Sequence, residues 1–219
     1  MTPFRDRTEA GKLLAEKLTK YANLPDVLVL ALPRGGVPVA FEVAKALNVP
    51  LEVFIVRKLG VPTHTELAMG AIASGSVCFL DQEIIKSFDV SENAIDLVKE
   101  HETRELKRRE NTYRKNRPAP NFRDRTIILV DDGLATGATM QVAVMALKPH
   151  KPKCIVVAVP VAATESFSEF GAEVDDIVSV ILPERLWAIG HWYDNFSQTT
   201  DEEVCSLLEQ ANCQLSAKC

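Results

Sequence analysis

The chain has 219 residues, of which 47% are hydrophobic and 25% charged, and a formal net charge of −5. That length suits one domain of ordinary core size, or a domain with an appendage, and the composition is that of a soluble globular protein. The negative balance gives no general reason to expect a nucleic-acid partner, no apolar run approaches a membrane span, and the start, Met1-Thr2-Pro3-Phe4-Arg5-Asp6-Arg7, lacks the apolar core of a signal peptide, so a cytoplasmic protein is expected.

Thr8 to Tyr21 has helical spacing, with Ala10, Leu13, Leu14, Leu18 and Tyr21 on one side and Thr8 as the expected cap. Asn23-Leu24-Pro25-Asp26 breaks it, and Val27 to Leu32 follows as a buried strand ending in Pro33-Arg34-Gly35-Gly36. Val37 to Leu47 is then helical. Paired glycines let backbone N–H groups close on an anion, and Arg34 adds a delocalised cation suited to phosphate. Alone, the tripeptide reads as a turn.

Leu51 to Val56 is the third apolar run, and it too ends in charge, at Arg57-Lys58. The residues from Lys58 to Glu66, with Gly60, Pro62 and His64 among them, predict a mobile loop. Leu67 to Gly75 and Val77 to Leu80 flank a Gly75-Ser76 turn and predict a hairpin. From Asp89 to Arg117 the sequence is charged and helical, capped by Ser91, with apolar positions too sparse for a buried helix. Its basic residues, Arg104 to Arg117, alternate with glutamates. A nucleic-acid face is one reading, and a solvated helix with pairs such as Glu105–Arg109 and Glu110–Arg114 is the favoured one. Pro118-Ala119-Pro120 ends it.

The most informative stretch is Thr126 to Met140. Ile127, Ile128, Leu129 and Val130 form an unbroken apolar run, as a strand buried on both faces requires. It stops at Asp131 and Asp132, at the carboxyl end of the strand, where open α/β sheets place ligands. Gly133, Ala135, Thr136, Gly137, Ala138 and Thr139 lead into an apolar-periodic helix. A loop of small residues and hydroxyls before a helix N-terminus can hold a phosphate. Adjacent carboxylates would repel that phosphate, so they face either vicinal sugar hydroxyls or a hard Mg2+ with its waters.

Cys154 to Pro160 and Ile177 to Pro183 are two more buried strands around a short helix, Ala163 to Phe170. Strands and helices alternate from Val27 to Leu182, which predicts an α/β fold with a parallel sheet of about five strands covered on both faces. From Glu184 the chain changes character. Trp187, Trp192, Tyr193 and Phe196 precede a helix from Thr200 to Cys213 with Val204, Leu207, Leu208 and Ala211 inward. These aromatics serve either packing or the stacking of a flat ligand. The five cysteines, Cys78, Cys154, Cys205, Cys213 and Cys219, form neither a disulfide framework nor a zinc pattern.

With its apolar strand, acidic pair and Thr136-Gly137-Ala138-Thr139, the stretch resembles the phosphoribosyl pyrophosphate motif of the type I phosphoribosyltransferases. The Ala31-Leu32-Pro33-Arg34-Gly35-Gly36 loop and aromatic tail resemble a poorly characterised bacterial group of them. The resemblance implies one domain over 1–219, with a core at 24–183, the charged helix at 89–117, an antiparallel edge hairpin, and a small C-terminal hood at 184–219. It implies that Asp131 and Asp132 hold the ribose hydroxyls, directly or through Mg2+, and that Ala135 to Thr139 hold the 5-phosphate. Arg34, Gly35 and Gly36 would bind pyrophosphate, Arg57 and Lys58 would supply cations from a closing loop, with His64 a lesser candidate, and Trp187, Trp192 and Tyr193 are the candidates for stacking on a base. The implied reaction transfers phosphoribosyl to a base-like nucleophile and releases pyrophosphate. A non-catalytic sensor or RNA-binding regulator of the same fold is the alternative, as is a nucleotide-binding hydrolase accessory. The acceptor is not written in the sequence, and a homodimer is a candidate assembly.

Overall fold

The computed structural model describes residues 3–75, 77–115 and 120–216. Ser76, Arg117, the Pro118-Ala119 break and Cys219 lie outside the described residues.

The first helix, α1 (Arg7–Lys17), is capped by Asp6 rather than by Thr8, with the Asp6 carboxylate accepting from the Glu9 N–H at 2.8 Å. A carboxylate at that position also meets the positive end of the helix dipole. A single 3-10 turn at Thr19–Tyr21 follows it. Strand β1 (Val27–Ala31) is buried throughout and leads into α2 (Gly36–Leu47), which ends on Asn48 in the left-handed conformation. Strand β2 (Leu51–Val53) is short.

The next three strands differ from the expectation. Residues 58–66 are not a loop but lie in a hairpin of β3 (Val56–Val61) and β4 (His64–Ala73), which β5 (Val77–Leu80) extends into a three-stranded antiparallel sheet. Lys58 pairs with Ala71 and Leu59 with Gly70, and the register shifts around Gly60. The cause is burial: Leu59, Val61 and Met69 pack inward in the main core, and this outweighs the turn-like composition of Gly60, Pro62 and Thr63. The Leu67–Leu80 hairpin itself is present, as predicted.

A short helix, α3 (Gln82–Ser87), capped by Asp81, was not expected from the sequence. The charged helix, α4 (Glu92–Arg114), begins with Ser91 accepting from the Ala94 N–H at 3.3 Å. Arg109 meets Glu105 at 2.8 Å and Arg114 meets Glu110 at 3.4 Å, as the spacing predicts. Arg114 departs from the picture of a solvated basic face, because it is buried, pairs with Glu52 at 3.3 Å and donates to the Val53 carbonyl.

The remaining elements are β6 (Thr126–Val130), α5 (Ala138–Leu147), β7 (Cys154–Val161), α6 (Thr164–Gly171), β8 (Asp176–Ile181) and α7 (Asp201–Ser216). The five core strands run parallel in the order β2-β1-β6-β7-β8. Alternation along each strand divides two apolar layers. Val27, Val29, Ile128, Val130 and Val156 pack with α1, α2 and α7, while Leu28, Leu30, Ile127, Leu129 and Val157 pack with α5 and Phe170 of α6. The fold is therefore the α/β class predicted, with a separate antiparallel sheet and a C-terminal stretch that reaches Asp132 through Tyr193 and packs α7 in the core layer of α1 and α2. Among the described residues, no helix is long and apolar enough to cross a membrane.

Candidate functional site

Strand β6 delivers Asp131 and Asp132 to the carboxyl edge of the sheet. The loop after them is anchored on the end of β7 and on α6: the Leu134 N–H donates to the Val161 carbonyl at 2.9 Å, and Ser166 Oγ donates to the Ala135 carbonyl at 2.5 Å. Gly137 has φ 72°, and a Cβ there would stand 2.4 Å from the Phe170 ring, so the position requires glycine. The first helical bond of α5 runs from the Gln141 N–H to the Gly137 carbonyl. The N–H groups of Ala138, Thr139 and Met140 therefore have no partner within the helix and point at the loop. Thr136, Ala138 and Thr139 are exposed. This is the geometry of an anion site at a helix N-terminus.

The Arg34 loop lies against the acidic pair. A Cβ on Gly35 would fall 2.1 Å from Asp132 Oδ2, and one on Gly36 would fall 2.7 Å from the Val130 carbonyl. The Pro33–Arg34 peptide is cis. The Arg34 side chain is half-buried, with Nη1 3.7 Å from Asp201 in the first turn of α7. Asp201 also accepts from the buried Tyr113 hydroxyl at 2.6 Å.

The electrostatics of the pair are unequal. Burial and then the charge of Asp132 push the Asp131 carboxyl well above its ordinary range, and its Oδ1 accepts from the Asp132 N–H. Burial raises Asp132 as well, against the opposing charge of Arg7. Arg7 supplies two nitrogens to Asp132 Oδ2, Nε at 2.9 Å and Nη2 at 2.8 Å. No local pattern marks Arg7 in the sequence, because its partner lies 125 residues away.

The other candidates are distributed. Arg57 and Lys58 sit on β3, and Arg57 reaches Glu102 of α4 at 2.6 Å. Both border a cleft of 670 Å3 whose far wall is Ala138, Thr139 and Val142 of α5, so the hairpin cations and the helix N-terminus share one opening. His64 is turned against the Phe88 ring, 5.3 Å between centroids. Tyr193 is enclosed by Phe4 and Phe196, at 5.4 and 5.0 Å, and its hydroxyl donates to the Asp132 carbonyl at 2.6 Å. It is thus the hydroxyl of Tyr193, not its ring face, that reaches the acidic pair, and burial drives that phenol upward. Trp192 is half-buried in the same cluster, while Trp187 is 82% exposed beside Arg185 and His191.

The phosphoribosyl transferase domain profile matches residues 7–192. The chain belongs to that family. Two Mycobacterium tuberculosis relatives, from strains H37Rv and CDC 1551, are each 41% identical over 212 residues, covering 97% of this chain and 48% of theirs. The H37Rv protein bears the name "Putative phosphoribosyl transferase Rv0571c". The chain thus spans about half the length of the curated relatives it matches. The crystal structure of TT1426 from Thermus thermophilus superposes with a TM-score of 0.85 at 38% identity, covering 96% of this chain and 99% of that one. AQ2163 from Aquifex aeolicus, at 14% identity and a TM-score of 0.50 over 84% of this chain and 78% of its own, shares the fold.

Proposed function

We propose that this phosphoribosyl transferase domain uses phosphoribosyl pyrophosphate and Mg2+ to transfer the phosphoribosyl group to a base-like nitrogen nucleophile, releasing pyrophosphate. The observation that carries the reading is the contact of the Arg34-Gly35-Gly36 loop with Asp132, which puts a cation loop, an acidic pair and a helix N-terminus on one sheet edge. Asp131 and Asp132 would accept from the ribose hydroxyls and stabilise the electron-poor sugar, while Ala135 to Thr139 hold the 5-phosphate. Arg34 would meet the pyrophosphate after exchanging its contact with Asp201, and Arg57 and Lys58 would approach from the hairpin across the cleft.

Mg2+ fits this donor set in one way. Among the described residues, no group of three or more His, Cys, Asp or Glu could hold a metal ion, and the two carboxylates share the site with Arg7. That suits an ion carried in by the substrate's phosphates, with Asp131 and Asp132 touching it directly or through water, rather than an all-protein cage. Bound there, it would supply charge neutralisation for the departing pyrophosphate.

The regulatory reading has less support. Arg104, Arg108, Arg109 and Arg114 of α4 each face a glutamate, so the basic stripe is largely compensated. Pyrophosphate release from phosphoribosyl pyrophosphate and Mg2+, measured across purine, pyrimidine and other nitrogen acceptors, tests the enzyme reading. Release with at least one acceptor is expected. Heat protection by the ligand with no release for any acceptor would leave a binding protein instead.

A further inference from the structure

Arg7 is held on several sides at once. Its Nε donates to Asp132 Oδ2, its Nη2 lies 2.8 Å from the same oxygen, its Nη1 donates to the Ser197 carbonyl at 2.7 Å, and its Cζ stands 4.0 Å from the centre of the Phe196 ring. All three nitrogens and one face of the guanidinium are thereby engaged, and the side chain is only 11% exposed. A lysine could supply the charge but neither the fork nor the stacked plane. Asp132 is fixed from two further sides. Its Oδ2 lies against Gly35, where a Cβ would come within 2.1 Å, and its carbonyl accepts from the Tyr193 hydroxyl. The residues before β1 and the tail after β8 therefore converge on one carboxylate. A buried ion pair gives a fold little stability by itself, since desolvation offsets attraction, so the arrangement calls for another account.

We infer that Arg7 is a positioning residue for ribose recognition: by holding Oδ2 of Asp132, it presents Oδ1 to a hydroxyl of the sugar. The inference rests on the reading that the acidic pair takes the ribose. A carboxylate free to turn would lose orientation on forming that bond, whereas one clamped through Oδ2 is already set. The neighbouring loop is anchored on Val161, Ala162 and Ser166, none of them a partner of Arg7. The inference therefore separates two parts of one ligand, with Arg7 governing the hydroxyl end and leaving the phosphate end alone.

The test uses the full chain and four probes: ribose 5-phosphate, its 2-deoxy and 3-deoxy analogues, and inorganic phosphate, with binding read by calorimetry. In the wild type, removing the hydroxyl that Asp132 accepts should weaken binding by about tenfold, the size of a charge-assisted hydrogen bond. In Arg7→Met that penalty should collapse to about twofold, with phosphate affinity unchanged, and Arg7→Lys should fall between. Should Arg7→Met fail to fold, the ratio in Arg7→Lys decides. A lower melting temperature with the penalty intact would show a purely structural role and overturn the inference. Tighter sugar binding by Arg7→Met would show that Arg7 competes with the ligand, and would overturn it too. A wild type that binds phosphate but does not distinguish the three sugars would remove the ribose assignment itself, and the inference with it.

Discussion

At Asp131, folding and chemistry make opposite demands. Its carboxyl is raised well above the ordinary aspartate range, first by burial and then by Asp132. A folded state that holds a proton more tightly than the unfolded chain is favoured at low pH. Stability is therefore lost as pH rises from the unfolded value through the folded one, so above the unfolded value this buried carboxyl is a net cost to folding. Asp131→Asn keeps an oxygen for the Asp132 N–H and removes the charge. Its melting temperature should exceed that of the wild type at pH 7, with the gain fading toward about pH 4, near the value of an unperturbed aspartate. Pyrophosphate release should fall by about 10²-fold or more. Equal melting temperatures at pH 7 would show that burial does not burden this group. The place of Asp131 and Asp132 at the carboxyl end of a buried strand was legible in the sequence because two adjacent charges ended an apolar run. Arg7 and the Tyr193 hydroxyl were not, since each reaches Asp132 across a long stretch of chain and no local spacing records it.

At the scale of the element, the Arg34 loop shows how the same residue type can serve different ends. Gly35 has φ −59° and ψ −33°, an ordinary helical conformation, so Gly35→Ala meets no backbone strain. Its nearest neighbour is the Asp132 carboxylate, at 2.1 Å, and it must turn that side chain aside. Gly36→Ala instead presses on the Val130 carbonyl and the Asp131 Cα, at 2.7 and 2.9 Å, which are backbone and cannot turn. Gly35→Ala should therefore lose most of its pyrophosphate release, with a smaller loss of melting temperature than Gly36→Ala. Gly36→Ala should lose release and also about 1–3 kcal/mol of stability, the usual cost of overpacking. Equal stability losses in thermal melts would mean that the loop does not lean on the acidic pair in this way. As a motif, Arg-Gly-Gly was weak, and it acquired meaning from its position at the end of a buried strand. The hairpin from Val56 to Ala73 was misread for the converse reason. Gly60, Pro62 and Thr63 signal a loop locally, but Leu59, Val61 and Met69 are drawn into a core assembled from distant parts of the chain.

At the scale of the whole molecule, the parallel sheet was legible because alternating apolar runs and helices admit few arrangements, whereas the docking of the two termini on that sheet was not. Phe4, Ala10, Val161, Ile181 and Tyr193 form one apolar cluster, which ties residues before β1 to the last two strands and the aromatic tail. Val204, Leu208 and Ala211 of α7 belong to the cluster that holds Val27 and Val29 of β1. We propose on this ground that core and tail make one domain, and Leu208 tests that view. It is 1% exposed, and Leu208→Ala should cost about 2–5 kcal/mol through lost burial and the cavity left behind. If the tail and core form one cooperative unit, urea unfolding followed by tryptophan fluorescence, which reports the tail through Trp187 and Trp192, should coincide with unfolding followed by circular dichroism, which reports the sheet and helices. Leu208→Ala should move both curves together to lower urea with little change in slope. Curves that separate in the variant, with the fluorescence transition first, would make the tail an independently melting unit. In that case its hold on Asp132 through Tyr193, and on Arg34 through Asp201, would be lost before the sheet unfolds.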